Sequence, residues 1–261
     1  MNLDNFFNNA EEKPLDVIAV NGGYTSIFRT IACVGDSLSS GEFESANTDG
    51  SSSYHDYYEY SWGQFLARMC GSKVYNFSRG GMTAREYIES FADENNFWNE
   101  SLSAQCYIIA LGVNDLKIGA DYIGSIDDFN CDSPENSNKT FAGYYMQIIA
   151  RLKIIQPRAK FFLVTMPDCA ECENNREIKK AHCELLYNMA EYFDNTYVID
   201  LFKYSPPHNA EFKKHFYMRN HLNPMGYKLT ADIIGSYIDY IIRHNTEDFK
   251  ETAFIGTQLH K

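Results

Sequence analysis

The sequence lacks any apolar run near the 18 residues that a membrane-spanning helix requires; its greasiest runs, such as Cys106–Leu111, have the length of buried strands. Proline (7) and glycine (16) are scarce among 261 residues, which excludes collagen-like and linker-dominated chains. Cations are also in short supply: 23 Lys and Arg stand against 35 Asp and Glu, a net charge of −12. A chain whose main task is to hold a phosphate backbone needs clustered Lys and Arg, so no nucleic-acid partner is expected. No basic residue precedes Lys13, and no small-residue cleavage site follows a greasy stretch near the start. That pattern is not a signal peptide. The seven cysteines are odd in number and scattered at 33, 70, 106, 131, 169, 172 and 183, which fits a reducing compartment better than a disulfide scaffold. The expectation is a cytoplasmic protein with no membrane insertion.

What is present is 44% hydrophobic and 15% aromatic, enough for one full core. Short runs rich in β-branched and aromatic residues recur. Thr30–Val34 ends at Gly35-Asp36, Lys73–Phe77 at Ser78-Arg79-Gly80-Gly81, and Cys106–Leu111 at Gly112-Val113-Asn114-Asp115. Lys160–Met166 ends at Pro167-Asp168, and Thr196–Ile199 at Asp200. Continuous hydrophobicity marks strands covered on both faces. Amphipathic stretches at Trp62–Met69, Ala84–Phe91, Phe141–Ile155, Arg176–Phe193 and Asn223–His244 alternate with them. The alternation predicts an α/β fold, a parallel sheet of about five strands between two helix layers. Ligands of such sheets sit beyond the carboxyl ends of the strands, where the polar punctuation falls. Residues 1–25 read as a leader, an added strand or hairpin around Asn21-Gly22-Gly23. Residues 26–244 read as the main domain and 245–261 as a tail. Gly41–Tyr60 reads as a long loop.

The strand ends supply the parts of an acyl-transfer site. Ser37 follows the first strand in Gly35-Asp36-Ser37-Leu38. Gly81 offers a backbone N–H that a ligand can approach, and the Asn114 amide can donate to a developing oxyanion. His221 stands at the entry to the last helix, in Asn220-His221-Leu222-Asn223-Pro224. A serine, oxyanion donors and a histidine are what nucleophilic acyl transfer needs. Asp36 and Asp115 read as braces of turns.

These blocks, Gly35-Asp36-Ser37-Leu38, Gly81, Gly112-Val113-Asn114-Asp115 and His221, occur in the order of the SGNH (GDSL) hydrolases, and the chain resembles that family from about residue 29 to 243. The resemblance implies a flavodoxin-like three-layer α/β/α sandwich. It also implies a serine esterase with Ser37 as nucleophile, His221 as general base and acid, and an oxyanion hole of the Ser37 and Gly81 N–H groups and Asn114. The family usually places an aspartate three residues before the histidine; here that residue is Met218, whose thioether cannot serve. The reading is therefore a Ser–His dyad oriented by backbone, or a carboxylate from elsewhere, with Asp200 and Asp168 as candidates.

Other signals are weaker. Cys169-x-x-Cys172 with His182-Cys183 lacks a second pair at zinc spacing and reads as plain thiols, so no metal and no cofactor are expected. Glu42 and Glu44 read as solvated loop acids rather than a glycosidase pair. The ring-rich stretch Tyr54, Tyr57, Tyr58, Tyr60 and Trp62 suggests a platform for a sugar ring or acyl chain, with Tyr58, Tyr60 and Trp62 as substrate-binding candidates. The acidic loops favour a neutral ester: a small molecule or carbohydrate bearing a short acyl group, with a longer-chain lipase or thioesterase-like role as rival. A catalytically silent binding module is the reading from outside enzymes.

Overall fold

The computed structural model describes residues 10–169 and 173–259. Its strands are β1 (Thr30–Gly35), β2 (Glu42–Ala46), β3 (Ser52–Asp56), β4 (Lys73–Ser78), β5 (Cys106–Ala110), β6 (Lys160–Val164) and β7 (Thr196–Ile199). Five of them form one parallel sheet in the order β4-β1-β5-β6-β7. The main helices are α1 (Ser37–Ser40), α2 (Trp62–Cys70), α3 (residues 84–94, π-helical over Tyr87–Phe91), α4 (Phe141–Ile155), α5 (Glu173–Tyr192), α6 (Ala210–Phe216) and α7 (Pro224–His244).

Each central strand is apolar on both sides because each side meets a helix layer. Ala32, Val34, Tyr107, Ile109, Phe161 and Leu163 pack against α3, α4 and α5. Their neighbours Ile31, Cys33, Cys106, Ile108, Phe162 and Val164 pack against α2 and α7. This period-2 division of one apolar run between two cores is what the unbroken hydrophobicity encodes. Local chemistry starts and stops the helices. Ser61 caps α2 by accepting from the Gln64 N–H at 3.2 Å, and Gly71 ends it in the left-handed region. Asn223 accepts from the Gly226 N–H at 2.9 Å at the head of α7, with Pro224 in the first turn. The three-layer sandwich and its five strands match the expectation.

Three segments differ from it. The described part of the leader, residues 10–25, forms turns running into the 3-10 segment Val20–Ile27 and contains no strand. Tyr24 N–H donates to Asp239, and the Thr25 hydroxyl to the Gly235 carbonyl, so the leader is laced onto α7. The tail is also packed down: Phe249 is buried against Phe28 and Phe162, and Gln105 donates to the Thr252 carbonyl. The third segment, Gly41–Tyr60, is not an irregular loop. It is an antiparallel hairpin of β2 and β3, with Glu42 opposite Asp56 and Glu44 opposite Tyr54.

Candidate functional site

β1 ends in a turn too tight for any side chain at position 35. A Cβ on Gly35 would lie 2.2 Å from Ser39 Oγ and 3.0 Å from the Ala110 carbonyl. Asp36 caps the turn of α1 through the Leu38 N–H (3.1 Å), and Gly41 closes it at φ 82°. Ser37 is thereby held as the first residue of α1, beyond the carboxyl end of β1 and nearly buried (9% exposed). The Ser40 hydroxyl lies 3.0 Å from Asp56, tying this turn to the β2–β3 hairpin.

Two further strand ends converge. Gly81 takes φ 72°, and nothing lies within 4 Å of where its side chain would be. Asn114 Nδ2 donates to the Met82 carbonyl at 3.1 Å, while Lys117 Nζ donates to Asn114 Oδ1 at 2.8 Å. One amide hydrogen remains for a ligand. Asp115, fully buried, accepts from the Ala84 N–H at 3.0 Å and so ties the two loops together. Burial pushes its carboxyl up to about 7, and does the same to Asp36. Both act as braces of turns, as their positions suggested.

His182 is packed beneath the Gly112 loop. Its Nε2 is 3.2 Å from the Leu111 carbonyl and would be 2.7 Å from a Cβ on Gly112. Burial lowers its pKa to about 4, which keeps it neutral.

His221 lies on a small hairpin, β8 (Tyr217–Met218) and β9 (His221–Leu222), whose turn holds Arg219 at φ 60°. This strand packs against both α1 and β2. Nδ1 of the imidazole is 3.4 Å from Glu44 Oε2, and Nε2 is 3.1 Å from Glu42 Oε1. Among the described residues the polar partner of Nε2 is thus Glu42, not Ser37. The Glu44 side chain is 1% exposed, yet its charge is well supplied with donors. The Ser52 hydroxyl (2.5 Å), the Asn220 backbone N–H (3.1 Å) and side-chain amide (3.2 Å), and Arg219 Nε (3.2 Å) all reach it. The Ser52 hydrogen bond, then those from Asn220, His221 and Arg219, outweigh burial and hold its carboxyl down at about 2.

Neither acid proposed for orienting the histidine reaches it. Asp200 caps the turn after β7 through the Lys203 N–H and binds Thr165 and Tyr187. Asp168 faces Arg176. Both close the ends of other strands, whereas Glu44, read as a solvated loop acid, is the carboxylate beside Nδ1. The rings expected to form a platform take different places. Trp62 is buried at the start of α2 yet lines the apolar cavity beside the Ser37 turn, and the Tyr58 hydroxyl is spent on the Val74 carbonyl at 3.0 Å. Tyr60 is about half exposed and packs edge-on against Phe43. The ring that does meet the site is Tyr54, set edge-on to His221 with 5.7 Å between centroids. Cys169, read as a plain thiol, is disulfide-bonded, and Cys172 lies outside the described residues.

A mostly apolar cavity of about 400 Å³ opens beside the Ser37 turn, lined among others by Leu38, Ser39, Val113, Met166, Phe212 and Leu222. Among the described residues no helix is long and apolar enough to cross a membrane.

Residues 31–234 match the sequence profile described as GDSL-like lipase/acylhydrolase. No curated protein sequence matches the chain. Solved structures of similar fold include a carbohydrate esterase family 2 enzyme plus carbohydrate binding domain from Corynascus thermopiles (Myceliophthora fergusii). It is 14% identical at a TM-score of 0.56, over 80% of this chain and 65% of that one. A family two carbohydrate esterase from Clostridium thermocellum, solved in complex with cellohexaose, is 16% identical at 0.57, over 88% and 66%. An acetyl xylan esterase is 17% identical at 0.52, over 80% and 99%. The matched region spans about two thirds of the first two chains, and at these identities the likeness is one of fold.

Proposed function

Because the chain belongs to the GDSL-like lipase/acylhydrolase family, we propose that this hydrolase cleaves a short-chain acyl ester, with an acetylated carbohydrate as the leading substrate class. Ser37 Oγ attacks the ester carbonyl while His221 Nε2 takes its proton. The tetrahedral oxyanion accepts hydrogen bonds from the Ser37 and Gly81 N–H groups and from Asn114 Nδ2. His221 then returns the proton to the departing alkoxide, and water repeats the sequence on the acyl-enzyme. Glu44 fills the role for which Met218 is unfit: it accepts from Nδ1–H, fixing the tautomer and stabilising the imidazolium.

The observation that carries this reading is the Glu44–His221 pair, with the buried carboxylate 3.4 Å from Nδ1 and held ionised by four other donors. A decayed site has no use for an ionised acid desolvated behind its histidine, which weighs against the silent binding module. Four cations around the strand ends have polar partners. Arg79 pairs with Glu86, Arg85 with Glu89, Arg219 with Glu44, and Lys117 with Asn114. Lys179 and Lys213, which line the apolar cavity, are the described cations there without a carboxylate partner, so the preference for a neutral ester rests on the acidic hairpin, Glu42 above all. The carbohydrate esterases of similar fold lend the sugar reading its support. The apolar cavity beside α1 favours the rival, a longer acyl chain.

The test is hydrolysis of p-nitrophenyl acetate, butyrate and octanoate by the wild type and Ser37→Ala. Activity lost in Ser37→Ala supports the serine esterase, and a profile falling with chain length supports the short acyl group. A profile rising to octanoate moves the assignment to the longer-chain reading. No turnover and no labelling by a fluorophosphonate leaves only the binding module.

A further inference from the structure

Glu42 and Glu44 are two residues apart on β2, so they project to the same side of the strand and reach opposite nitrogens of one imidazole. Their surroundings differ sharply. Glu44 is saturated with donors, whereas among the described residues His221 is the ion-pair partner of the Glu42 carboxylate. Burial, opposed by the His221 charge and helped by Asp56 and Glu44, raises the pKa of Glu42. Its backbone is fixed, because the Tyr227 hydroxyl donates to its carbonyl at 2.6 Å and the residue before it, Gly41, is in the left-handed turn. The side chain then lies directly over the Gly80-Gly81 turn. A Cβ on Gly80 would fall 1.9 Å from Glu42 Oε2, so the bare glycine is what admits the carboxylate.

This position conflicts with the reaction unless the substrate resolves it. Nε2 must face Ser37 and then the leaving oxygen, and it is occupied by Glu42. A carboxylate over Gly80 also sits on the turn whose next residue, Gly81, is the proposed oxyanion donor, and like charges on one such turn oppose each other. Glu42 must therefore turn away from His221 when an ester enters. A half-buried carboxylate that gives up its one partner needs another donor. The part of the substrate that passes Nε2 is the alcohol, since that nitrogen protonates the departing oxygen.

We propose that Glu42 is a specificity-determining residue that selects esters whose alcohol part carries free hydroxyl groups, a hydroxyl of the substrate replacing His221 as donor to the Glu42 carboxylate. The inference rests on the esterase reading above and names the chemistry of the alcohol that reading leaves open. Esters without such donors are handicapped twice, by the blocked Nε2 and by the uncompensated charge.

The test compares kcat/KM for methyl 6-O-acetylglucopyranoside and for its tri-O-methyl ether, in which the same acetyl ester has lost its hydroxyl donors. Wild type should favour the free sugar by well over about tenfold, since a site built to bond a substrate hydroxyl can reject the analogue lacking it by as much as about 10⁴- to 10⁵-fold. Glu42→Leu should bring the two within about threefold, mainly by raising the rate on the ether, with Glu42→Gln between. Simple crowding by the methyl groups would persist in both variants. Fluorophosphonate labelling of Ser37 in each variant reports an intact nucleophile. Equal rates in the wild type, a preference unchanged in the labelled variants, or faster turnover of acetylcholine than of both sugars would overturn the proposal. In those cases, turnover of p-nitrophenyl acetate by the wild type would leave the esterase reading standing. No turnover of any ester, with no labelling, would remove both.

Discussion

Glu44 and His221 are 177 positions apart in the chain, and Glu44 Oε2 lies 3.4 Å from His221 Nδ1. Met218, at the position where the resemblance leads one to expect an acid, instead faces His221 across the β8–β9 hairpin and is more than one-third exposed. The carboxylate beside the imidazole therefore comes from the hairpin inserted between β1 and α2. Arg219 and Asn220, the turn residues next to the histidine, are the same groups that clamp the glutamate.

Glu44→Gln should lower kcat by about 10²- to 10⁴-fold, the scale set by losing the carboxylate behind a catalytic histidine. The stability effect has a definite sign. A carboxyl held at about 2 against its usual 4.5 stabilises the fold above 4.5, and that contribution drains away as pH falls toward 2. Urea midpoints of wild type and Glu44→Gln should accordingly converge between those values. A gap that stays constant with pH would show that the charge is not what the fold uses.

Asn114→Ala should reduce kcat by about 10²- to 10³-fold with a small change in KM, the mark of a donor used mainly in the transition state. Lys117→Met should cost far less, because Asn114 keeps its hydrogen bond to the Met82 carbonyl. Steady-state kinetics on p-nitrophenyl acetate separates the two; equal losses would show that Asn114 acts only when Lys117 holds it.

Asp115→Asn addresses a buried acid with the opposite sign. Its carboxyl is raised from 3.8 to about 7 by burial, so the folded protein holds a proton that the unfolded chain releases. Wild-type stability from this group is complete below 3.8 and is lost as pH rises to 7. The variant cannot ionise, so its Tm relative to wild type should improve between pH 4 and pH 7. A relative Tm that worsens over that range would refute the assignment.

Tyr227→Phe removes the hydroxyl that joins α7 to the Glu42 carbonyl at 2.6 Å and lies 3.5 Å from the Ser37 carbonyl. The loss should be about 1–2 kcal/mol of stability for a buried hydrogen bond. Turnover should fall a few-fold as well, because the Ser37 turn and β2 lose a shared anchor. Thermal unfolding and kinetics on one preparation test both halves.

The sheet was legible because its strands carry their own signal. Cys106–Ala110 and Lys160–Val164 are buried on both faces, and their shortness, β-branched and aromatic content and flanking turn residues set them apart from buried helices. Ser37, Gly81, Asn114 and His221 were legible as residue types at strand ends or at a helix entry. The β2–β3 hairpin was not, since hydropathy assigns serine and glutamate to solvent. In the fold, Phe43 turns into the core beside Tyr227, while Glu42 and Glu44 turn together toward the histidine. The alternation Glu42-Phe43-Glu44, followed by Asp49-Gly50, was the available sign of a strand and turn. Asn21-Gly22-Gly23 misled in the other direction: its positive φ angles serve a helical kink rather than a hairpin.

Putting the histidine's partner on that hairpin has a consequence for how the molecule matures. An N-terminal fragment ending before residue 210 would contain Ser37, Gly81 and Asn114 but not His221, the proposed base, and the hairpin acids would have nothing to hold. Closing a loop of such length is entropically expensive and comes after local helices form. During refolding, ester hydrolysis should therefore return later than the helical signal, making catalysis a reporter of the moment at which the two ends of the chain meet.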